Sequence, residues 1–156
     1  MWPGLNSCNS LGKWPASEID RQIALTRNQS GSTGHIHWDL RKGIMLNTAL
    51  TQTLRGKTYA RPALVPASPW LAQPTPEKPR LLVKGSGGAT ATWQAGGGSK
   101  PSLWVVQTQS ERDWRTEILP SSRTSRSWSN HPRAISVFAV DRVGQASPPT
   151  VLEIKE

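Results

Sequence analysis

Six prolines crowd one stretch of this chain, Pro62, Pro66, Pro69, Pro74, Pro76 and Pro79. Proline lacks the amide hydrogen that helices and strand ladders need, and it fixes its own backbone angle. The segment 60–79 is therefore an extended connector, and a domain boundary belongs in it. The hydrophobic pattern changes across it, from helical spacing before to two-residue alternation after. Each side is read on its own.

On the amino-terminal side, Pro15 and Ser17 suit a helix start. Ile19 and Ile23 lie four apart, with Ala16 and Ala24 expected to extend the same side. Gly31-Ser-Thr-Gly34 breaks that pattern, and His35-Ile-His-Trp-Asp39 is short enough to be a strand. Asn47 is a good helix cap, Leu46, Leu50 and Leu54 make a stripe, and Gly56 ends it. With the apolar opening Trp2-Pro-Gly-Leu5, the order is strand, helix, strand, helix. Such units normally lie in a larger parallel sheet buried on both faces.

Beyond the connector, seven strands are expected near 80–84, 89–94, 102–108, 114–119, 124–128, 133–141 and 148–155, a density that points to a sandwich. Ala89, Ala91 and Trp93 alternate, as do Ile135, Val137 and Ala139, so each strand has one core face. Strand 102–108 is apolar in both phases, and its inner face is left open. Gly85-Ser-Gly-Gly88 and Gly96-Gly-Gly-Ser99 read as turns, because neither is followed by the helix and lysine of a phosphate loop.

Composition narrows the function classes. A single cysteine, Cys8, excludes an internal disulfide and cysteine-based zinc modules. The net charge is +9, but it is diffuse, with +5 on residues 1–70 and +4 on the rest. Arg123, Arg126 and Arg133 fall in a serine-rich stretch that reads as a solvated loop, so nucleic acid is not expected as a partner. No apolar window approaches the ~20 residues that span a bilayer. Met1-Trp-Pro-Gly4 has neither the basic nor the apolar segment of a signal peptide.

Two stretches resemble known families. Ala134-Ile-Ser-Val-Phe-Ala-Val-Asp-Arg-Val-Gly-Gln-Ala-Ser-Pro-Pro149, with Trp93, resembles the last hairpin of a fibronectin type III domain. The tyrosine usual at the start of that strand is replaced by Ile135, so the tyrosine-corner hydrogen bond is absent. Gly34-His-Ile-His-Trp-Asp39, the Leu46 to Leu54 helix, and Tyr59-Ala-Arg-Pro-Ala-Leu-Val-Pro-Ala-Ser-Pro-Trp70 resemble the end of the glycoside hydrolase family 10-like proteins of the bacterial cell envelope. In that family a barrel tail precedes a proline-rich connector and a fibronectin-like domain. The resemblance implies an α+β chain. Residues 1–59 would be a partial (β/α) barrel remnant of two strand-helix units, 60–79 the connector, and 80–156 the all-β fibronectin type III-like sandwich. It also implies polysaccharide as partner, peptidoglycan glycan strands included, and a periplasmic or extracellular envelope location. Self-association through the incomplete barrel unit is a further expectation.

On this mapping Trp2 to Leu5 corresponds to the end of the seventh barrel strand and His35 to Asp39 to the eighth. Trp2, Trp38 and Asp39 are then the candidate glycan-binding residues, expected near one open end. Indoles offer a stacking face, and barrel enzymes place functional groups at that edge. No catalytic residue is assigned. Glycoside hydrolysis needs two carboxyl groups flanking the bond, one of them kept protonated near neutral pH. Residues 1–70 offer only Glu18, Asp20 and Asp39, the first two in the opening turn of a helix. No cofactor is expected, and no metal, since His35 and His37 share one side of a strand but lack a third ligand. The chain is thus read as the non-catalytic part of a glycoside hydrolase-like protein, itself inactive. The alternative is a carbohydrate-binding or adhesion module with no hydrolytic role.

Overall fold

The computed structural model describes residues 1–71, 74–85, 88–111 and 113–154. It divides into two compact units, 1–66 and 67–156.

The first unit runs β1 (Gly4–Asn6), a 3₁₀ turn (Ser7–Leu11), α1 (Ala16–Asn28), β2 (Ile36–Trp38), a π-helical turn (Leu40–Met45) and α2 (Thr48–Gly56). β1 and β2 pair in parallel, Leu5 opposite His37. The strands are three residues each, shorter than the sequence suggests at the His35 and Asp39 ends. Ile19 and Ile23 of α1, Leu50 and Leu54 of α2, and Leu5 of β1 form the core, with Trp14, Ala16 and Ile44 packed at its margin. Two expected members of the helix stripes face outward. Ala24 is exposed, being a 100° step round the helix from Ile23. Leu46 precedes the helix cap and is exposed. Asn47 caps α2 through its side-chain oxygen, which accepts from the Leu50 amide at 3.2 Å.

The second unit is a sandwich. One sheet has the order β3 (Arg80–Lys84), β4 (Ala89–Gln94), β7 (Ser125–Trp128). The other has β6 (Asp113–Pro120), β5 (Leu103–Ser110), β8 (Ala134–Val140), β9 (Thr150–Glu153). All pairings are antiparallel. Leu81, Ala89, Ala91 and Trp93 from the first sheet meet Trp104, Val106, Ile135, Val137 and Ala139 from the second. This register settles the inner face of β5. Trp104 and Val106 point between the sheets, opposite Ala139 and Val137, while Leu103 and Val105 lie on the other face opposite Val140 and Phe138. The indoles of Trp93 and Trp104 meet edge to face, centroids 6.4 Å apart, and the Trp104 indole donates to the Ser121 carbonyl at 3.1 Å. Trp128 is half-buried against this core, whereas Trp114 is exposed. Ser86 and Gly87 of the first glycine turn, and Lys155 at the end of the last expected strand, lie outside the described residues.

The turn after β8 is organised by a buried carboxylate. Asp141 accepts from the Val143 and Gln145 amides, each at 2.9 Å, and from the Ser99 hydroxyl at 3.2 Å. Gly144 supplies the positive φ of 82° that closes it. Next comes Ser147, whose amide donates to the Ala139 carbonyl at 2.9 Å while its hydroxyl accepts from the Ala139 amide at 3.0 Å. One serine thus fills both ladder positions just before two prolines. Ile135, where the tyrosine corner would be, is wholly buried in the core instead.

Two variants test this account in urea unfolding of the chain. Ile135→Ala removes a fully enclosed side chain and should cost about 3 kcal/mol. Asp141→Ala strands several buried donors and should cost about 2–3 kcal/mol. Both should lower the midpoint while leaving the slope unchanged.

Candidate functional site

The first unit places its chemistry along β2 and just beyond it. Side chains two apart on a strand share a side, so His35 and His37 project together while Ile36 and Trp38 face the other way. Tyr59, the only tyrosine in the chain, follows the end of α2, where its amide donates to the Leu54 carbonyl at 2.7 Å. Its hydroxyl reaches Nε2 of both histidines, at 2.6 Å from that of His37. On the far side of the His37 ring, Nδ1 lies 2.6 Å from the hydroxyl of Ser7, which is fully buried. Ser7–His37–Tyr59–His35 is one hydrogen-bonded chain.

Further polar ties hold its inner end. The Ser7 carbonyl accepts from the Ser10 hydroxyl, which in turn accepts from the Asn47 side chain, each at 2.7 Å. Gly43 lies against Ser7 so closely that a Cβ there would stand 2.9 Å from the serine's own. The turn Leu40–Met45 therefore seats directly on the end of β1.

Burial sets the protonation states. It lowers the pKa of His37 to about 4, with the neighbouring His35 adding to the effect. His35 is also lowered, by burial and by the charge of Arg27. Burial pushes the Tyr59 phenol up, with Arg27 opposing. The Arg27 guanidinium carbon lies 6.0 Å from the Tyr59 ring centre. At neutral pH the cluster is two neutral imidazoles and a neutral phenol.

The candidate glycan residues are not gathered in one place. Trp38 ends β2 and is 69% exposed, and Asp39 follows it. Trp2 lies at the opposite end of the strand pair, its indole beside Gly34 and donating to the Thr33 hydroxyl at 2.8 Å. Four residue steps, the last two within β2, separate Gly34 from Trp38, about 13 Å at 3.3 Å per residue of extended chain. The expectation that Trp2 and Trp38 share an open end is therefore corrected: parallel pairing aligns Gly4 with Ile36, which leaves Trp2 level with the start of β2. Asp39 caps the turn Leu40–Met45 by accepting from the Lys42 and Gly43 amides. Its own amide approaches the Cys8 sulfur at 3.4 Å.

The other two carboxylates of this unit are also engaged. Glu18 is paired with Arg21 at 3.0 Å, and hydrogen bonds from Arg21 and then Gln22 hold its carboxyl below the usual range. Asp20 accepts from the Thr58 hydroxyl. All three carboxylates of the unit are thus committed to local contacts. Sequence reasoning found the His-X-His pair but not Ser7 or Tyr59. The signal was there in outline, in a polar residue directly after a strand and in the lone tyrosine after a helix.

No protein-family profile matches the chain. A curated protein of Bacillus subtilis strain 168, the glycosyl hydrolase YngK, is 36% identical over 64 residues, which is 41% of this chain and 12% of that protein. Over that stretch the chain is similar to a glycosyl hydrolase. The match thus spans about one eighth of the relative's length. Among solved structures, a computationally redesigned β-sandwich protein shares 25% identity at a TM-score of 0.42, covering 50% of this chain and 92% of its own. A fibronectin type III domain of human collagen XX shares 17% identity at 0.40, covering 59% and 100%. The glycoside hydrolase domain of Endo-D from Streptococcus pneumoniae R6 shares 18% at 0.32, covering 52% and 15%. No helix among the described residues is long and apolar enough to cross a membrane.

The depressed histidines give the unit a pH-dependent stability with a definite sign. Above pH 6.5 the imidazoles are neutral in both folded and unfolded chains, and stability is complete. Below it the unfolded chain takes up protons that folded His37 refuses until about 4. Stability should therefore fall as pH drops from 6.5 towards 4. Thermal melts across that range should show this loss, and His37→Gln should flatten it while lowering the melting temperature at pH 7.5.

Proposed function

We propose that the chain is the C-terminal, non-catalytic portion of a bacterial cell-envelope glycoside hydrolase-like protein acting on polysaccharide, with peptidoglycan glycan strands as the substrate class. The observation that carries this reading is the 36% identity to a glycosyl hydrolase over 64 residues. The βαβα order of residues 1–56 supports it, because a parallel strand pair flanked by helices is what the last two units of a barrel supply. On this reading, residues 60–79 join the barrel remnant to the fibronectin type III-like sandwich, and the catalytic carboxyls belong to other parts of the parent protein. The engagement of Glu18, Asp20 and Asp39 in local hydrogen bonds supports a non-catalytic role for the chain itself.

Within that role, Trp38 is the platform for a sugar ring, since an exposed indole face attracts the C–H groups of a pyranose. Asp39 orients the turn beneath it, and Trp2 stands as a separate contact at the other end of the strands. Both strands of the pair have an outer edge with no strand partner among the described residues, which supports self-association of the unit or its seating against further strands. A carbohydrate-binding or adhesion module without a hydrolytic parent is the second reading, favoured by the exposure of Trp38 and Trp114. The sequence encoded upstream of Met1 separates the two.

Calorimetric titration with peptidoglycan fragments over a salt series tests the binding role. Affinity should be nearly independent of salt, unlike phosphate-driven binding, and Trp38→Ala should lower it about tenfold. The purified chain should release no reducing ends from peptidoglycan, and turnover would refute the non-catalytic assignment.

A further inference from the structure

His35 and His37 aim both Nε2 atoms at a single point, and that point is occupied by the oxygen of Tyr59. The imidazole planes are perpendicular, with centroids 5.2 Å apart, so the nitrogens approach it from different directions. Hydrogen bonding accounts for part of this arrangement, yet a phenol carries one proton and can donate to only one ring. The other imidazole must donate to the phenol oxygen. Two rings converging on one atom is also how a strand-borne His-X-His pair chelates an ion.

We infer that His35 Nε2, His37 Nε2 and the Tyr59 oxygen form a binding site for a borderline divalent transition-metal ion, Cu²⁺ or Zn²⁺. Imidazole nitrogen suits these ions, whereas Mg²⁺ and Ca²⁺ prefer sites built wholly of oxygen. Among the described residues no group of three His, Cys, Asp or Glu could hold a metal. The tyrosine, brought in from beyond α2, supplies the ligand that the strand alone lacks. An ion held about 2.0–2.1 Å from each nitrogen takes the place of the phenol oxygen, which retreats to become the third ligand. Tyr59 gives its proton to solvent on binding, so the ion meets two neutral nitrogens and one phenolate, and water completes the shell.

The surroundings fit this use. A metal-bound histidine is normally oriented by a hydrogen bond to its other ring nitrogen. His37 has one, with Nδ1 2.6 Å from the buried Ser7 hydroxyl. With Nδ1–H donating there, the Nε2 lone pair is free for an ion. His35, His37 and Tyr59 are all partly exposed, so an ion can enter from solvent. Among the described residues, the charged group with a ring contact to the cluster is Arg27 of α1, 6.0 Å from the phenol ring centre. Its charge favours the phenolate and opposes the ion.

The test is calorimetric titration of the untagged, chelator-stripped chain with Cu²⁺, Zn²⁺, Ca²⁺ and Mg²⁺. One Cu²⁺ or Zn²⁺ per chain should bind, copper more tightly, with release of about one proton. His37→Ala should weaken binding at least about 100-fold. Tyr59→Phe should weaken it about tenfold and abolish both the proton release and the visible phenolate-to-copper charge-transfer band. Should a variant misfold, the unaltered chain still decides: Zn²⁺ should shift the NMR resonances of the His35 and His37 rings and leave those of His131 in place. No saturable binding below about 1 mM, or equal shifts at all three histidines, overturns the site.

Discussion

A strand pair of three residues each can send few side chains into a core, and in the amino-terminal unit only Leu5 does so. No β2 residue is buried. Hydrophobic burial therefore joins α1 to α2 and to β1, but it does not hold β2. That task falls to the ladder with β1 and to the chain of polar contacts from Ser7 through His37 to Tyr59. A 66-residue unit with five buried hydrophobic residues has little margin, so an arrangement of hydrogen bonds that would be minor in a large domain here decides where a whole strand sits.

The same economy bears on function. Groups that could serve chemistry are used for structure: Asp39 caps a turn, Asn47 caps a helix while tying it to Ser10, and Asp20 meets Thr58. What remains accessible includes the indoles of Trp38 and Trp2 and a cluster whose imidazoles are neutral at physiological pH. An exposed indole suits sugar rings and neutral imidazoles suit metal ions, and neither demands a free carboxylate. The sandwich shows the opposite regime, with Trp93 and Trp104 enclosed between its sheets and a buried carboxylate, Asp141, fully engaged in ordering a turn.

Much of the fold was legible in the sequence because its signals are local. Alternation marked β4 and β8, since a strand with one buried face must repeat every second position, and turn residues between apolar runs marked the other five strands of the sandwich to within a few residues. The cap at Asn47 and the spacing of Ile19 with Ile23 marked both helices. Ala24 and Leu46 were misplaced because apolar character alone does not say where a helix begins or how wide its buried stripe is. The inner face of β5 was illegible for a related reason: Val105 is buried as well as Trp104 and Val106, and only pairing with β8 separates them.

The amino-acid order by itself determined the helices and strands on either side of the proline-rich stretch, the His-X-His spacing and the scarcity of carboxylates. These follow from backbone sterics and side-chain period, which act over a few residues. Only the tertiary structure decided that Trp2 and Trp38 stand at opposite ends of a parallel pair, and that Ser7 and Tyr59, 30 and 22 residues from His37, converge on its ring. Strand direction and register are set by which distant segments share a core, and no local pattern carries that information.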